Sequence, residues 1–185
     1  ITQQTSDDPA GEMARRIFSM FDEYQSKENS KHTLRAMKEN AKQGFFNGSR
    51  PPFGYKKEEL DLPAAKGKKK RLVVNEAEAP VVRHIFQMYL HGLNGREMGC
   101  KEIASHLNEG GSTLRGAKWS RNRVQALLAD TAYAGRYVFN KKNMRTGETK
   151  PEEEWVVVPI PSIIDQQVRL LGRTIAASVG HYTDE

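Results

Sequence analysis

At 185 residues the chain has room for one ordinary domain with an appendage, or for two small ones. Hydrophobic residues make up 37% and charged residues 28%, enough apolar mass for a modest core under a polar surface. The single cysteine excludes a disulfide framework and a Cys-rich zinc site, and no apolar run approaches the roughly 20 residues of a membrane span. The expected class is a mildly basic, reduced, cytoplasmic protein, and Ile1 reads as the first residue of a piece cut from something longer.

The net charge of +6 is unevenly placed. Residues 1–30 carry three basic and six acidic side chains, residues 31–72 twelve basic and four acidic, residues 73–150 a net +5, and residues 151–185 a net −4. A basic middle between acidic ends points to a polyanion partner, because clustered Lys and Arg release counterions from phosphates.

In chain order, the first expected element is a long helix. Asp8 suits its N-cap, Pro9 its first position and Glu12 its positive end, and Gly44 supplies a stop. Met13, Ile17, Phe21 and Tyr24 form one apolar face and are the candidate subunit-contact residues; packing against further protein is an equal reading. The second half is basic, with Lys27, Lys31, Arg35, Lys38 and Lys42. A Gly- and Pro-rich loop follows from Gly44 to Tyr55, then a strand pair near Tyr55–Leu60 and Arg71–Val74. The lysine-rich tip between those strands reads as mobile, with incidental phosphate contact.

Next comes a small helical domain. Asn75 is the expected cap of a helix with Glu76 and Glu78 in its first turn, Val82, Ile85, Phe86 and Tyr89 inward, and Gly92 at its end. A second helix is expected from Cys100 to Asn108, then an irregular stretch at 112–118. Ser120 caps a third helix, Arg121–Asp130, with Val124, Leu127 and Leu128 inward. Two strands, Arg136–Asn140 and Trp155–Val158, precede a last helix with Ile164, Val168, Leu171 and Ile175 on one stripe.

The third helix carries the sharpest chemistry. Ser120, Arg121, Asn122, Arg123 and Gln125 stand against three core aliphatics, as in a helix that reads the major groove, where Arg pairs with guanine and Asn or Gln with adenine. Arg121 and Arg123 point about 200° apart, so one is expected on base edges and the other on phosphate. Lys42, Arg50 and Lys56 are the expected backbone contacts, and Lys118 is a further expected DNA-binding residue. Nothing has the spacing of a metal or catalytic constellation: His32, His84, His91, His106 and His181 are scattered, Cys100 reads as a packing thiol, and Trp119 and Trp155 as core anchors. No metal and no cofactor are expected.

Two stretches resemble a known family. Gly11 through Tyr24, continued through Lys31-His32-Thr33-Leu34-Arg35-Ala36-Met37 to Gly44, is similar to the long helix that ends the catalytic domain of resolvase/invertase-type serine recombinases. Asn47-Gly48-Ser49-Arg50-Pro51-Pro52-Phe53-Gly54-Tyr55 resembles the opening of the "recombinase" domain of large serine recombinases. Val81 through Phe86, Ile103 through Asn108 and Trp119-Ser120 through Gly135 follow in the order of that domain. The resemblance implies an α+β, mainly helical fragment: 1–44, the end of the catalytic domain and its dimerisation helix; 45–160, a recombinase domain binding double-stranded DNA; 161–185, a helix leading to a zinc ribbon. It implies a bacterial or phage-encoded parent that joins DNA through a phosphoserine as a dimer or tetramer, with the nucleophilic Ser upstream and this fragment inactive alone. The family commonly has Glu-Arg-Thr where this chain has Lys31-His32-Thr33, so no Arg role passes to His32. A stand-alone winged-helix-type transcription regulator is the alternative, and a protein-binding adaptor a third reading.

Overall fold

The computed structural model describes residues 9–63 and 67–165. It contains four helices, α1 (Pro9–Lys42), α2 (Ala79–His91), α3 (Cys100–Glu109) and α4 (Arg121–Ala129), and four strands, β1 (Tyr55–Pro63), β2 (Lys68–Val74), β3 (Arg136–Phe139) and β4 (Val156–Pro159). The strands form two separate antiparallel pairs, β1 with β2 and β3 with β4. The fold is α+β and mainly helical, as expected. By its contacts the chain divides into two units, Ile1–Asn40 and Ala41–Glu185.

The first unit is helical along its described length. Most of its side chains are exposed, and it carries surface ion pairs Arg16–Glu12, Lys27–Glu23 and Lys31–Glu28, three or four residues apart. The expected Asp8 cap lies outside the described residues. Met13, Ile17, Phe21 and Tyr24 are exposed, and Met20 and Phe18 with them.

The second unit is built around one apolar cluster. Val82, Ile85 and Phe86 from α2, Ile103 and Leu107 from α3, and Val124, Leu127 and Leu128 from α4 meet Tyr55, Trp119, Tyr133, Ile163 and Ile164. These are the helical positions that the three- and four-residue spacing selects. The Tyr55 hydroxyl sits 2.8 Å from the carbonyl oxygens of both Ala132 and Pro161, and burial pushes its pKa up. A smaller cluster joins Ala41 to Val156 and Val158 beneath β3–β4.

Four local expectations are corrected. α2 begins at Ala79, not beside Asn75, because Pro80 occupies the first turn while Asn75 closes its own turn onto the amides of Ala77, Glu78 and Ala79. The lysine-rich stretch is largely strand: Lys68 pairs with Asp61, Lys70 with Glu59 and Arg71 with Glu58, while Lys69 bonds Gln43 and lies over the Phe45 ring. The acids of β1 face those bases across the ladder and hold them. Residues 64–66 lie outside the described residues. Residues 161–165 are irregular rather than helical, since the Ile163 and Ile164 amides donate to the Tyr133 carbonyl; Val168, Leu171 and Ile175 lie outside the described residues. Trp155 is half-buried rather than a core anchor: its indole N–H donates to the Lys150 carbonyl at 2.8 Å, with Lys141 over its ring, whereas Cys100 is half-buried and packs against the apolar cluster.

Candidate nucleic-acid interface

α4 is set by its neighbours before any ligand arrives. The Asn108 side chain at the end of α3 receives the Trp119 N–H at 2.9 Å and donates to the Trp119 carbonyl at 3.0 Å. That two-way clamp fixes the backbone just before the helix. Trp119 itself is buried, edge-on to Phe53 at 5.3 Å between ring centroids. Ser120, with extended backbone, then caps the helix by accepting the Arg123 amide at 3.4 Å.

Burial of Val124, Leu127 and Leu128 sets the helix phase. At about 100° per residue, Asn122, Ala126 and Ala129 point most directly away from the core, and Gln125 and Arg123 stand on the two shoulders. All five are exposed, as are Lys118, Ser120 and Arg121. The Arg121 charge opposes the rise that burial imposes on the thiol pKa of Cys100, at the start of α3. The Arg123 guanidinium donates to the Lys118 carbonyl and is folded back along the approach to the helix. The foremost surface is therefore one amide and two methyl groups, flanked by a second amide and framed by cations.

The expected contacts outside α4 stand on other elements. Lys42 ends α1, Arg50 lies in the loop before β1, Lys56 lies on β1, and all three are exposed. Sequence reasoning missed the residue that fastens Arg50's loop to the approach to α4. Arg115 donates to Pro51 O at 2.9 Å, Pro52 O at 3.1 Å and Tyr55 O at 3.0 Å, and to both carboxylate oxygens of Glu78 at 2.7 Å. The same carboxylate accepts the Gly54 amide at 2.8 Å, and its pKa is held below the usual value chiefly by the Arg115 hydrogen bonds. Gly54 has φ +87° and no room for a side chain: a Cβ would come within 2.8 Å of Ile163 and 2.9 Å of Val82. The Pro-Phe-Gly-Tyr run is thus a latch for the core.

The signal for Arg115 was a turn pattern. Leu93-Asn94-Gly95-Arg96 and Leu114-Arg115-Gly116-Ala117 each close a two-residue turn with positive φ at both central positions, the first between α2 and α3, the second between α3 and α4. Asn-Gly is the usual choice there, and Arg at φ +51° is not. The strain is offset by the hydrogen bonds that its guanidinium makes.

Among the described residues no three of His, Cys, Asp and Glu gather as a group able to hold a metal ion, and no helix is long and apolar enough to cross a membrane.

The chain resembles several known proteins. It is 26% identical over 198 residues to a Bacillus subtilis (strain 168) protein named "Putative DNA recombinase", covering 94% of this chain and 37% of that protein. Its fold matches a crystal structure of an LSR–DNA complex with a TM-score of 0.55 and 18% identity, over 80% of this chain and 38% of that one. A structure concerned with the sequence requirements of the Listeria innocua prophage attP site matches with a TM-score of 0.54 and 17% identity, over 82% of this chain and 54% of that one. The chain thus spans little more than a third of the curated relative and at most about half of these structures. The Recombinase family model covers residues 76–169, a span that includes Glu78, Arg115 and α4, and this chain belongs to the Recombinase family.

Proposed function

We propose that this chain is the DNA-binding part of a site-specific serine recombinase, with α4 seated in the major groove of one half-site. The observation that carries the reading is the outer face of α4: Asn122, Ala126 and Ala129 foremost, Gln125 beside them, on a helix locked by its cap and its core contacts. Two exposed alanines let the helix approach the base edges closely. Asn and Gln pair bidentately with adenine, and alanine methyl groups suit thymine methyl groups, so the favoured half-site is rich in A·T pairs. Lys118, Arg121 and Arg123 then serve the backbone, with Lys42, Arg50 and Lys56 on flanking phosphates.

The parent activity is strand exchange through a serine nucleophile supplied by sequence outside this chain, so the chain alone is inactive in cleavage, and it works as a dimer or tetramer in the intact protein. The family match and the DNA-recombinase relative support the recombinase parent over a stand-alone transcription regulator.

The test is selection of duplexes from a random pool with the whole chain, followed by fluorescence anisotropy on a selected and a scrambled duplex. Enrichment of a common A·T-rich half-site supports the reading. Recovery of no preferred sequence, with equal binding to both duplexes, would sink it.

A further inference from the structure

Between β3 and β4 the chain runs out and back through residues 140–150, a segment the site above does not use. Met144 at its tip is 96% exposed, the most exposed of the large apolar side chains among the described residues. A lone exposed methionine means little by itself. What distinguishes this one is the frame that holds it.

The arm is built. The Asn143 amide donates to Glu148 O at 2.9 Å, the Gly147 amide to Asn143 O at 2.8 Å and the Lys150 amide to Lys141 O at 3.0 Å, while Lys142 and Thr149 form a bridge. At its root the Asn140 side chain donates to Glu154 O at 3.0 Å and accepts from Lys150 Nζ at 3.0 Å. Its direction relative to α4 is also fixed. Asp130, at the end of α4, caps the turn Thr131–Ala134, whose Thr131 hydroxyl bonds Arg136 O on β3 at 2.7 Å. An arm ordered in advance loses little freedom on binding.

The arm is also positively charged. Residues 141–150 hold Lys141, Lys142, Arg145 and Lys150 against one acid, Glu148, whose carboxylate accepts the Thr146 hydroxyl at 3.0 Å; Lys150 is paired with Glu154 at 3.5 Å, so Lys141, Lys142 and Arg145 give the arm its positive charge. Lys142 and Arg145 flank the methionine and are exposed. An apolar tip between cations is the makeup of a wedge that enters the minor groove and loosens a base step while its flanks hold phosphates.

We propose that this arm is a second DNA contact, entering the minor groove beside the half-site with Met144 at the base step and Lys142 and Arg145 on the flanking phosphates. The proposal rests on the DNA-binding reading above and extends it to a surface outside α4.

The experiment is dimethyl sulfate footprinting of the whole chain on a duplex that it has itself selected, since the reagent reads guanine N7 in the major groove and adenine N3 in the minor groove. The expected result is protection of adenine N3 next to the half-site, lost in Met144→Ser and in a Lys142→Ala/Arg145→Ala double variant, with guanine N7 protection kept. Anisotropy should show binding at least fivefold weaker for the double variant and a salt slope lower by about two. All three side chains are on the surface, so folding should be preserved, and circular dichroism checks it. Unchanged adenine protection and salt slope in both variants would overturn the proposal while leaving α4's role standing. Loss of self-association with DNA binding intact would overturn it in favour of a protein contact. Failure of the unmodified chain to select any duplex would overturn the DNA-binding reading itself.

Discussion

Arg115 grips both carboxylate oxygens of Glu78 at 2.7 Å, joining the turn before α4 to the residue that opens α2. Their pair closes a ring: α2, the Pro51–Tyr55 loop and the turn leading to Trp119 are all held by one guanidinium and one carboxylate. If α4 reads DNA as proposed, its exactness rests on its support, and this pair with the Asn108 clamp is that support.

Replacing Arg115 should therefore cost more than a surface residue does. Arg115→Ala strands a mostly buried carboxylate and leaves the carbonyls of Pro51, Pro52 and Tyr55 without their guanidinium partner, a loss of about 2–3 kcal/mol. Arg115→Lys should recover little, because a single ammonium cannot reproduce the planar fork. Urea unfolding of the three proteins checks this. A lysine variant within about 0.5 kcal/mol of the parent would show that charge alone suffices.

The same pair sets a pH dependence. The folded-state pKa of Glu78 is lowered, so the native state binds fewer protons than the unfolded chain between the two values. The stability it contributes is complete above the unfolded carboxylate range and is lost as pH falls through the lowered folded value. The stability difference between the parent and Glu78→Gln should thus be largest near neutrality and shrink on acidification below about pH 4. Denaturation midpoints at successive pH values measure it, and a difference independent of pH would refute the assignment.

Periodicity made most of this fold legible. Val82, Ile85 and Phe86, or Val124, Leu127 and Leu128, announce their helices by spacing alone, and Ser120 and Gly92 mark ends because their chemistry acts within a few residues. What escaped was long-range. The partner of Glu78 is 37 residues away, and nothing local distinguishes it from a first-turn acid of a helix. The lysines of β2 looked like a free polycation because their partners, Asp61 and Glu59, are set by strand register. Of the candidate site, Ser120 through Gln125 could be named from sequence. Which of them leads depends on the phase that burial imposes, and that phase moved weight from the arginines to Asn122 and Gln125.

That shift can be tested directly. On a selected half-site, Asn122→Ala should lose about 1–3 kcal/mol of binding and Gln125→Ala a comparable or smaller amount, with little change on scrambled DNA. Arg121→Ala should weaken both duplexes alike and lower the salt slope by about one. Anisotropy at several salt concentrations separates the two patterns. If Arg121→Ala proved sequence-selective and Asn122→Ala neutral, guanine reading by an arginine would be the better account.

Met13, Ile17, Met20, Phe21 and Tyr24 lie within an arc of about 100° on α1 and are all exposed. Single exposed apolar residues are ordinary, but five on one stripe over three turns form a contiguous patch of the kind that marks a protein contact. Sequence reasoning named four of them; Met20 completes the row. Two partners fit: the same stripe on a second copy, and a further domain of the parent protein. The expected result is concentration-dependent dimerisation of this chain in sedimentation equilibrium, abolished by Phe21→Asp, which places a charge amid the stripe where desolvation would be costly. Because residue 21 is exposed, the variant should keep its helix content, and the sequence preference conferred by Asn122 should be unaltered. Monomers of both proteins across the accessible concentration range would assign the stripe to a further domain instead, and dimers of both would place self-association on another surface.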